Sequence, residues 1–128
     1  MQSIDTTIVL PTLNESKNIG RMIREITRRF QSVNVLVVDD GSVDGTIDIS
    51  KNIASKNKRV KVIDRKSQKL KPGLTASVID GIKASRTKFV IVMDADFQHP
   101  LNKIPLVIKG LRNGSQLVVC VRAAVPGW

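Results

Sequence analysis

The stretch Lys88-Phe89-Val90-Ile91-Val92-Met93-Asp94-Ala95-Asp96 decides the reading of this chain. Phe89 to Met93 is short, continuous, apolar and rich in β-branched residues, which predicts a buried strand. Asp94 and Asp96 stand where that strand leaves the sheet, and carboxylates there are costly unless something pairs with them. They lie two residues apart, so in an extended chain both point to the same side. The usual partner is a divalent cation, and oxygen ligands of this kind suit Mg²⁺ or Mn²⁺. One carboxylate can take the metal while the other steadies a ribose or the metal's water. Gln98 continues the same alternation as a further oxygen ligand. A helix cap or turn is the plainer reading, but it leaves the paired charge unexplained. A hard cation between protein and substrate points to phosphate chemistry.

Outward from this stretch the chain alternates strand and helix. Thr6–Leu10 reads as the first strand. Ile19, Met22, Ile23, Ile26 and Phe30 recur at helical spacing, with Asn14 or Ser16 as the cap of that helix. Val33–Val38 is the second strand, and Asp44 is placed to cap a second helix whose inner face carries Ile47, Ile49 or Ser50, Ile53 and Ala54. Val60–Ile63 is a short third strand. Gly73–Ala84 is the third helix, Lys88–Met93 the fourth strand, Asn102–Arg112 the fourth helix and Leu117–Val121 a fifth strand. Gly114 ends the fourth helix. This order means βαβ units and a mostly parallel, three-layer α/β/α sheet, apolar on both faces because helices cover both sides.

The 128 residues predict one domain with one core. With no Tyr and 3% aromatics the core must be aliphatic, and a base-stacking nucleic-acid platform is disfavoured. Cys120 is the single cysteine, which excludes an intrachain disulfide framework and reads as a small buried hydrophobe. No run reaches the length of a membrane span and no signal peptide precedes the first strand, so a cytosol-side protein is expected. The abrupt Val125-Pro126-Gly127-Trp128 reads as the N-terminal part of a longer protein; Trp128 packing back on the domain is the alternative. Lysine and arginine total 21 against 11 acidic residues, for a net charge of +10. That excess fits nucleic acid, an anionic membrane face, polyanionic small substrates, or simply solvated helix faces. Lys66 to Lys71 reads as a basic loop free to move.

In open α/β sheets ligands bind beyond the carboxyl ends of the strands. Three suggestive loops fall there: Pro11-Thr12-Leu13-Asn14-Glu15, Asp39-Asp40-Gly41-Ser42-Val43-Asp44-Gly45-Thr46, and Asp94-Ala95-Asp96-Phe97-Gln98-His99-Pro100. Strands one, two and four can be neighbours, so the loops can build one site. Asp and Gly suit a turn, yet Asp39 ends a strand, where a carboxylate can accept bonds from a nucleobase or ribose. Glu15 either serves a ligand or sits favourably near the positive end of the first helix. His99 is the only histidine, either a general base or a structural residue. Arg122, after the fifth strand, either reaches a diphosphate or is an ordinary surface arginine. Lys71-Pro72-Gly73-Leu74-Thr75 opens the third helix and could face an anion.

Together these residues resemble family 2 glycosyltransferases of the GT-A fold, nearest to dolichyl-phosphate mannose synthases and related polyprenyl-phosphate transferases. The matching text is Val9–Glu15, Val37–Ser42 with Asp44-Gly45-Thr46, and Met93–Asp96 with His99-Pro100. The likeness runs from about residue 6 to Arg122. It implies a Rossmann-like nucleotide-diphospho-sugar transferase fold. It implies that Pro11, Leu13, Glu15, Val38, Asp39 and Asp40 hold base and ribose. By the same likeness Asp94, Ala95, Asp96 and Gln98 hold ribose, metal and diphosphate, and Arg122 the diphosphate. This chain has Leu13 where the family often has an aromatic, and Gly73-Leu74-Thr75 where it has a second glycine. The resemblance implies an inverting transfer of a hexose, mannose from GDP-mannose first, to a polyprenyl or dolichyl phosphate at the cytosolic membrane face. A UDP-sugar enzyme making a glucosyl lipid or a polysaccharide is the alternative within the family, and a basic membrane- or nucleic-acid-binding module the alternative outside it. Nucleic acid is disfavoured, because acidic loops repel phosphates unless a metal intervenes. A phosphohydrolase would carry its Asp-x-Asp after the first strand, and a dinucleotide-binding oxidoreductase would need a glycine-rich turn there.

Overall fold

A computed structural model describes residues 3–95 and 101–114. Strands β1 (Thr6–Thr12), β2 (Val33–Asp39), β3 (Val60–Asp64) and β4 (Phe89–Val92) form one sheet in the order β3-β2-β1-β4, and every pair is parallel. Helices α1 (Ile19–Arg29), α2 (Thr46–Lys56) and α3 (Leu74–Ala84) make the crossovers. The result is the three-layer α/β/α arrangement that the alternation predicts. β1 and β2 are central and buried almost throughout, whereas β3 and β4 are only partly covered. This unit spans residues 1–98. Within the second unit, residues 99–128, a 3₁₀ turn at Leu101–Lys103 leads into α4 (Ile104–Arg112), with Pro105 in its first turn. The expected fifth strand, Cys120, Arg122 and Trp128 lie outside the described residues.

Most element ends differ from expectation by one or two residues, β4 for example being Phe89–Val92 in place of Lys88–Met93, and two of the differences have a plain physical reason. β1 runs two residues further, through Pro11 and Thr12, and Asp40 N–H still donates to Thr12 C=O at 3.0 Å beyond the end of β2. Proline is tolerated there because successive residues of a parallel strand bond to opposite neighbours. Thr12 bonds toward β2 and Val9 toward β4, so the N–H that Pro11 lacks would point toward β4, which ends at Val92 opposite Val9. α3 starts one residue late because Gly73 has φ +145°, a conformation closed to L side chains.

Side-chain alternation divides the core. Val9, Leu36 and Val38 pack together on one face with Ile63 and Val90. Ile8, Leu10, Val35 and Val37 point to the other face, the side of the buried α1 residues Ile19, Met22, Ile23 and Ile26. α3 sits close on the first face through Gly81: a Cβ there would lie 2.5 Å from Val9 Cγ1 and 3.1 Å from Val38 Cγ2. Arg59 donates to the carbonyls of Thr27 and Phe30 at the end of α1 and of Val33 in β2. Part of the cationic excess is therefore structural.

Gly81→Val is expected to lower the unfolding free energy by about 2–3 kcal/mol, because both clashing partners are stiff β-branched side chains of the sheet. Urea denaturation followed by circular dichroism measures it, and unchanged stability would show that α3 does not pack as described.

Candidate functional site

β1, β2 and β4 are neighbours, so the three acidic loops emerge at the same carboxyl edge. The register pairs Pro11 with Val38 and Thr12 with Asp39. β4 ends at Val92 opposite Val9, and Asp94 follows it by two residues at the same carboxyl edge. Pro11 and Val38 thus pair across β1 and β2, while Asp94 leaves the end of β4 on the other side of β1. Val38 and Ala95 are buried, Asp94 is half-buried, and Leu13 is 56% exposed at the loop tip. Asp96, Gln98, His99 and Arg122 lie outside the described residues. The structure thus brings Pro11, Leu13, Glu15, Val38, Asp39, Asp40, Asp94 and Ala95 to one edge.

The first two loops are stitched together by their own backbone. Asn14 N–H donates to Ser42 Oγ at 2.7 Å, Val43 N–H to Asn14 Oδ1 at 2.9 Å, Glu15 N–H to Thr46 Oγ1 at 2.9 Å and Ser16 N–H to Asp44 Oδ2 at 3.0 Å. Asn14 takes a left-handed conformation, φ +57°, which asparagine accepts more readily than most residues. Neither Asn14 nor Ser16 caps α1, whose cap residue is Asn18. The same bonds correct the reading of Asp44. The α2 cap is Gly45, and Asp44 sits one residue earlier, accepting from Thr46 N–H at 3.1 Å and Thr46 Oγ1 at 2.6 Å.

Asp39 has no exposed surface, and all its acceptor positions are used inside the protein. Oδ1 accepts from Thr12 Oγ1 at 2.7 Å and Ser42 Oγ at 2.5 Å; Oδ2 accepts from Gly41 N–H at 3.1 Å and Ser42 N–H at 2.8 Å. A carboxylate has about four lone-pair sites. A base or ribose could bond to Asp39 only by displacing one of these donors. The protein's own donors thus account for the burial of Asp39.

Asp40 is bound from the opposite side. Its Oδ1 pairs with Arg65 Nη1, and its Oδ2 accepts from Gly73 N–H at 2.9 Å. The α3 N-terminus therefore does meet an anion, but it is the protein's own. Arg65 is 2% exposed and also donates from Nε to Asp80 Oδ2 at 2.7 Å and from Nη2 to Lys71 C=O at 2.8 Å. The Asp80 hydrogen bond first, and Asp40 after it, raise the guanidinium's pKa above its ordinary value against the opposing effect of burial. Lys66–Lys71, expected to be a free loop, is held at Arg65 and closed by turn bonds from Lys69 N–H to Lys66 C=O and Leu70 N–H to Arg65 C=O. Nothing in the sequence distinguishes Arg65 from the other cations between Lys51 and Lys71. Register decides it: Asp39 pairs with Asp64, so Asp40 and Arg65 leave adjacent strands at the same level.

Asp39→Asn is expected to cost about 2–4 kcal/mol, since an amide NH₂ cannot accept and leaves buried donors unpaired. Guanidinium denaturation checks this. The Asp44 carboxyl is held well below the usual range, first by the Thr46 hydroxyl and then by Ser16. A folded-state pKa below the unfolded one gives stability that is present above the ordinary value of 3.8 and lost as pH falls through the folded value. Carboxyl ¹³C titration should therefore show Asp44 ionised at pH values where ordinary aspartates are protonated; a midpoint near the ordinary value would refute the loop junction.

Comparison with known proteins agrees with this geometry. The family described as Glycosyl transferase family 2 matches residues 7–127. The chain is 38% identical over 114 residues to a dolichol-phosphate mannosyltransferase of Pyrococcus furiosus, covering 88% of this chain and 31% of that protein. A dolichol-phosphate mannosyltransferase of Mycosarcoma maydis is 27% identical over 126 residues, covering 92% of this chain and 42% of that protein. The chain thus spans well under half the length of these relatives. Among solved structures, glucosyl-3-phosphoglycerate synthase from Mycobacterium tuberculosis with Mn²⁺ and UDP-glucose superposes with a TM-score of 0.69 at 28% identity, over 87% of this chain and 40% of that one. The mannosyltransferase PcManGT from Pyrobaculum calidifontis, with GDP-Man and Mn²⁺, gives a TM-score of 0.62 at 20% identity over 80% of this chain and 30% of that one, a likeness of fold alone. With the parallel sheet, the three loops at its carboxyl edge and a family match over nearly its whole length, this chain belongs to glycosyl transferase family 2 and has the GT-A fold.

Proposed function

We propose that this chain is the donor-binding part of a metal-dependent glycosyltransferase that takes a nucleoside-diphosphate hexose. The observation that carries the reading is that β2, β1 and β4 end side by side at one edge, where Asp94 follows β4 and the loops after β1 and β2 are locked to each other. This edge suits a base and ribose on the β1–β2 side and a diphosphate near Asp94. The reaction breaks the bond between the anomeric carbon and the diphosphate oxygen and forms one to the acceptor oxygen, with inversion. A phosphate-monoester acceptor is already nucleophilic and needs little help from a general base.

Among the described residues no group of three or more His, Cys, Asp or Glu forms a metal cluster. They supply one carboxylate for a cation, Asp94; the other two expected ligands, Asp96 and Gln98, lie outside them. Bound Mg²⁺ or Mn²⁺ would neutralise charge on the departing diphosphate. Three structures of the Mycobacterium tuberculosis synthase contain Mn²⁺ with UDP or UDP-glucose, which supports the same requirement here.

Two donors have separate support. The UDP-glucose complex of the 28% identical synthase favours a uridine donor. The 38% identity to a dolichol-phosphate mannosyltransferase favours mannose and a polyprenyl phosphate acceptor. The solved relatives weight the choice toward UDP-hexose over the GDP-mannose that the sequence motifs first bring forward. Leu13 in place of an aromatic gives the base an aliphatic contact, so nucleotide affinity should depend mainly on the diphosphate and metal. A position at the cytosolic membrane face is part of the polyprenyl reading, supported by the net charge of +10. Among the described residues no helix is long and apolar enough to cross a membrane.

Calorimetry with UDP, GDP, UDP-glucose and GDP-mannose, with and without Mn²⁺, tests the reading. Binding that requires Mn²⁺ and is lost in Asp94→Asn or Asp96→Ala is the expected result. Preference for uridine or guanosine assigns the donor, and metal-independent binding, or none, would refute the proposal. Flotation with anionic phosphatidylglycerol vesicles, weakened by salt, is expected if the chain works at a membrane face; no flotation at low salt would remove that part.

A further inference from the structure

We propose that Arg65 is a positioning residue for the donor site: it holds Asp40 and the first turn of α3 as one rim around the nucleotide. The inference rests on the donor-site reading above and adds a residue that the motifs do not contain. Arg65 leaves β3 beside Asp40, which leaves β2 at the same level. Its side chain is 3% exposed and is gripped on both sides, by Asp40 at Nη1 and by Asp80 at Nε. Nη2 takes Lys71 C=O, the carbonyl two residues before Gly73. Asp40 then uses its second oxygen on Gly73 N–H. The links form a closed circuit: β2 end, Arg65, the Lys71–Gly73 segment, α3 N-terminus, and back to Asp40. Ser77 Oγ, which donates to Gly73 C=O at 2.8 Å, and Nη1 of Arg65 at 3.4 Å from that hydroxyl brace it from inside α3.

This circuit sits directly beside the first one. Asp39 fixes the loop after β2 to the end of β1, while Asp40, the next residue, fixes the same loop's base to β3 and α3. An error in the position of Asp40 is therefore passed to the backbone at Gly41 and Ser42, and through Ser42 Oγ to Asn14. Only arginine can serve here. Three nitrogens of one planar group reach two carboxylates and a carbonyl in different directions, which a lysine ammonium on a flexible stem cannot reproduce. Because the guanidinium is buried, it cannot itself form the outer wall of the site; its influence on a nucleotide passes through Asp40 and the loops.

The test compares the unsubstituted chain with Arg65→Lys, Asp40→Asn and the double variant, under conditions where circular dichroism shows each folded. Asp80→Asn, which removes the grip farthest from Asp40, is the milder variant should Arg65→Lys fail to fold. Nucleotide Kd with Mn²⁺ is read by calorimetry and amide protection by hydrogen exchange. We expect each single substitution at 65 or 40 to raise Kd about tenfold, and the double variant to raise it about tenfold as well, because both remove one shared link. Asp80→Asn should raise it less. Protection should fall at Gly73, Gly41 and Ser42 but not in β1. An unchanged Kd in folded Arg65→Lys, additive effects in the double variant, or unaltered protection at Gly73 would overturn the positioning role while leaving the donor site standing. Absence of metal-dependent nucleotide binding in the unsubstituted chain would overturn the donor reading and this role with it.

Discussion

Two adjacent carboxylates at the end of β2 hold the carboxyl edge of this sheet together, and they pull in opposite directions. Asp39 turns inward to Thr12 of β1 and to its own following loop, while Asp40 turns to Arg65 and Gly73. A parallel sheet needs such devices. Its strands end side by side, so the loops leaving them carry many backbone donors into one crowded edge. A buried carboxylate such as Asp39, with all its positions filled, is a compact way to satisfy those donors. It also fixes loop geometry without adding mass that would close the edge.

The hydroxyl side chains extend this scheme. Ser42 Oγ donates to Asp39 and accepts from Asn14 N–H; Thr46 Oγ1 donates to Asp44 and accepts from Glu15 N–H. Each hydroxyl passes a carboxylate's charge on to the backbone of the neighbouring loop. The Asp-Asp-Gly-Ser and Asp-Gly-Thr segments are thus structural in their hydroxyls and acids alike. What they offer a ligand is a shaped, rigid surface more than open side-chain acceptors. That division of labour fits a family whose members hold different nucleotides and sugars on one fold.

The positive charge separates into two kinds. Arg59 and Arg65 are internal fasteners, one at the end of α1 and one at the end of β3. Glu25 engages Arg28 and Arg29 in partly exposed pairs that contribute little to stability. Among the described residues the remaining lysines and arginines lie mainly on helices and turns, where they can act on polyanions at long range. Net charge alone therefore overstates the cationic surface.

The order of the described elements, the parallel three-layer sheet and the edge where the acidic loops emerge were legible in the sequence, because hydrophobic runs with a period and length set strands and helices locally. The acidic loops were legible for the same reason: a charged residue directly after an apolar run has a position fixed by that run. Partners were not legible. Asn14 and Ser16 look like caps of α1, Asp44 like the cap of α2, and Arg65 like one more surface cation. All four are instead tied to groups distant in sequence, Asn14 and Ser16 to the Ser42–Asp44 loop and Arg65 to Asp40 and Asp80. Local spacing cannot express such bonds, since they depend on which strands lie side by side and in what register. The sequence determined the layers and the acidic edge; the order β3-β2-β1-β4 alone decided which side chains meet there, because adjacency in a parallel sheet is set by packing across the whole domain.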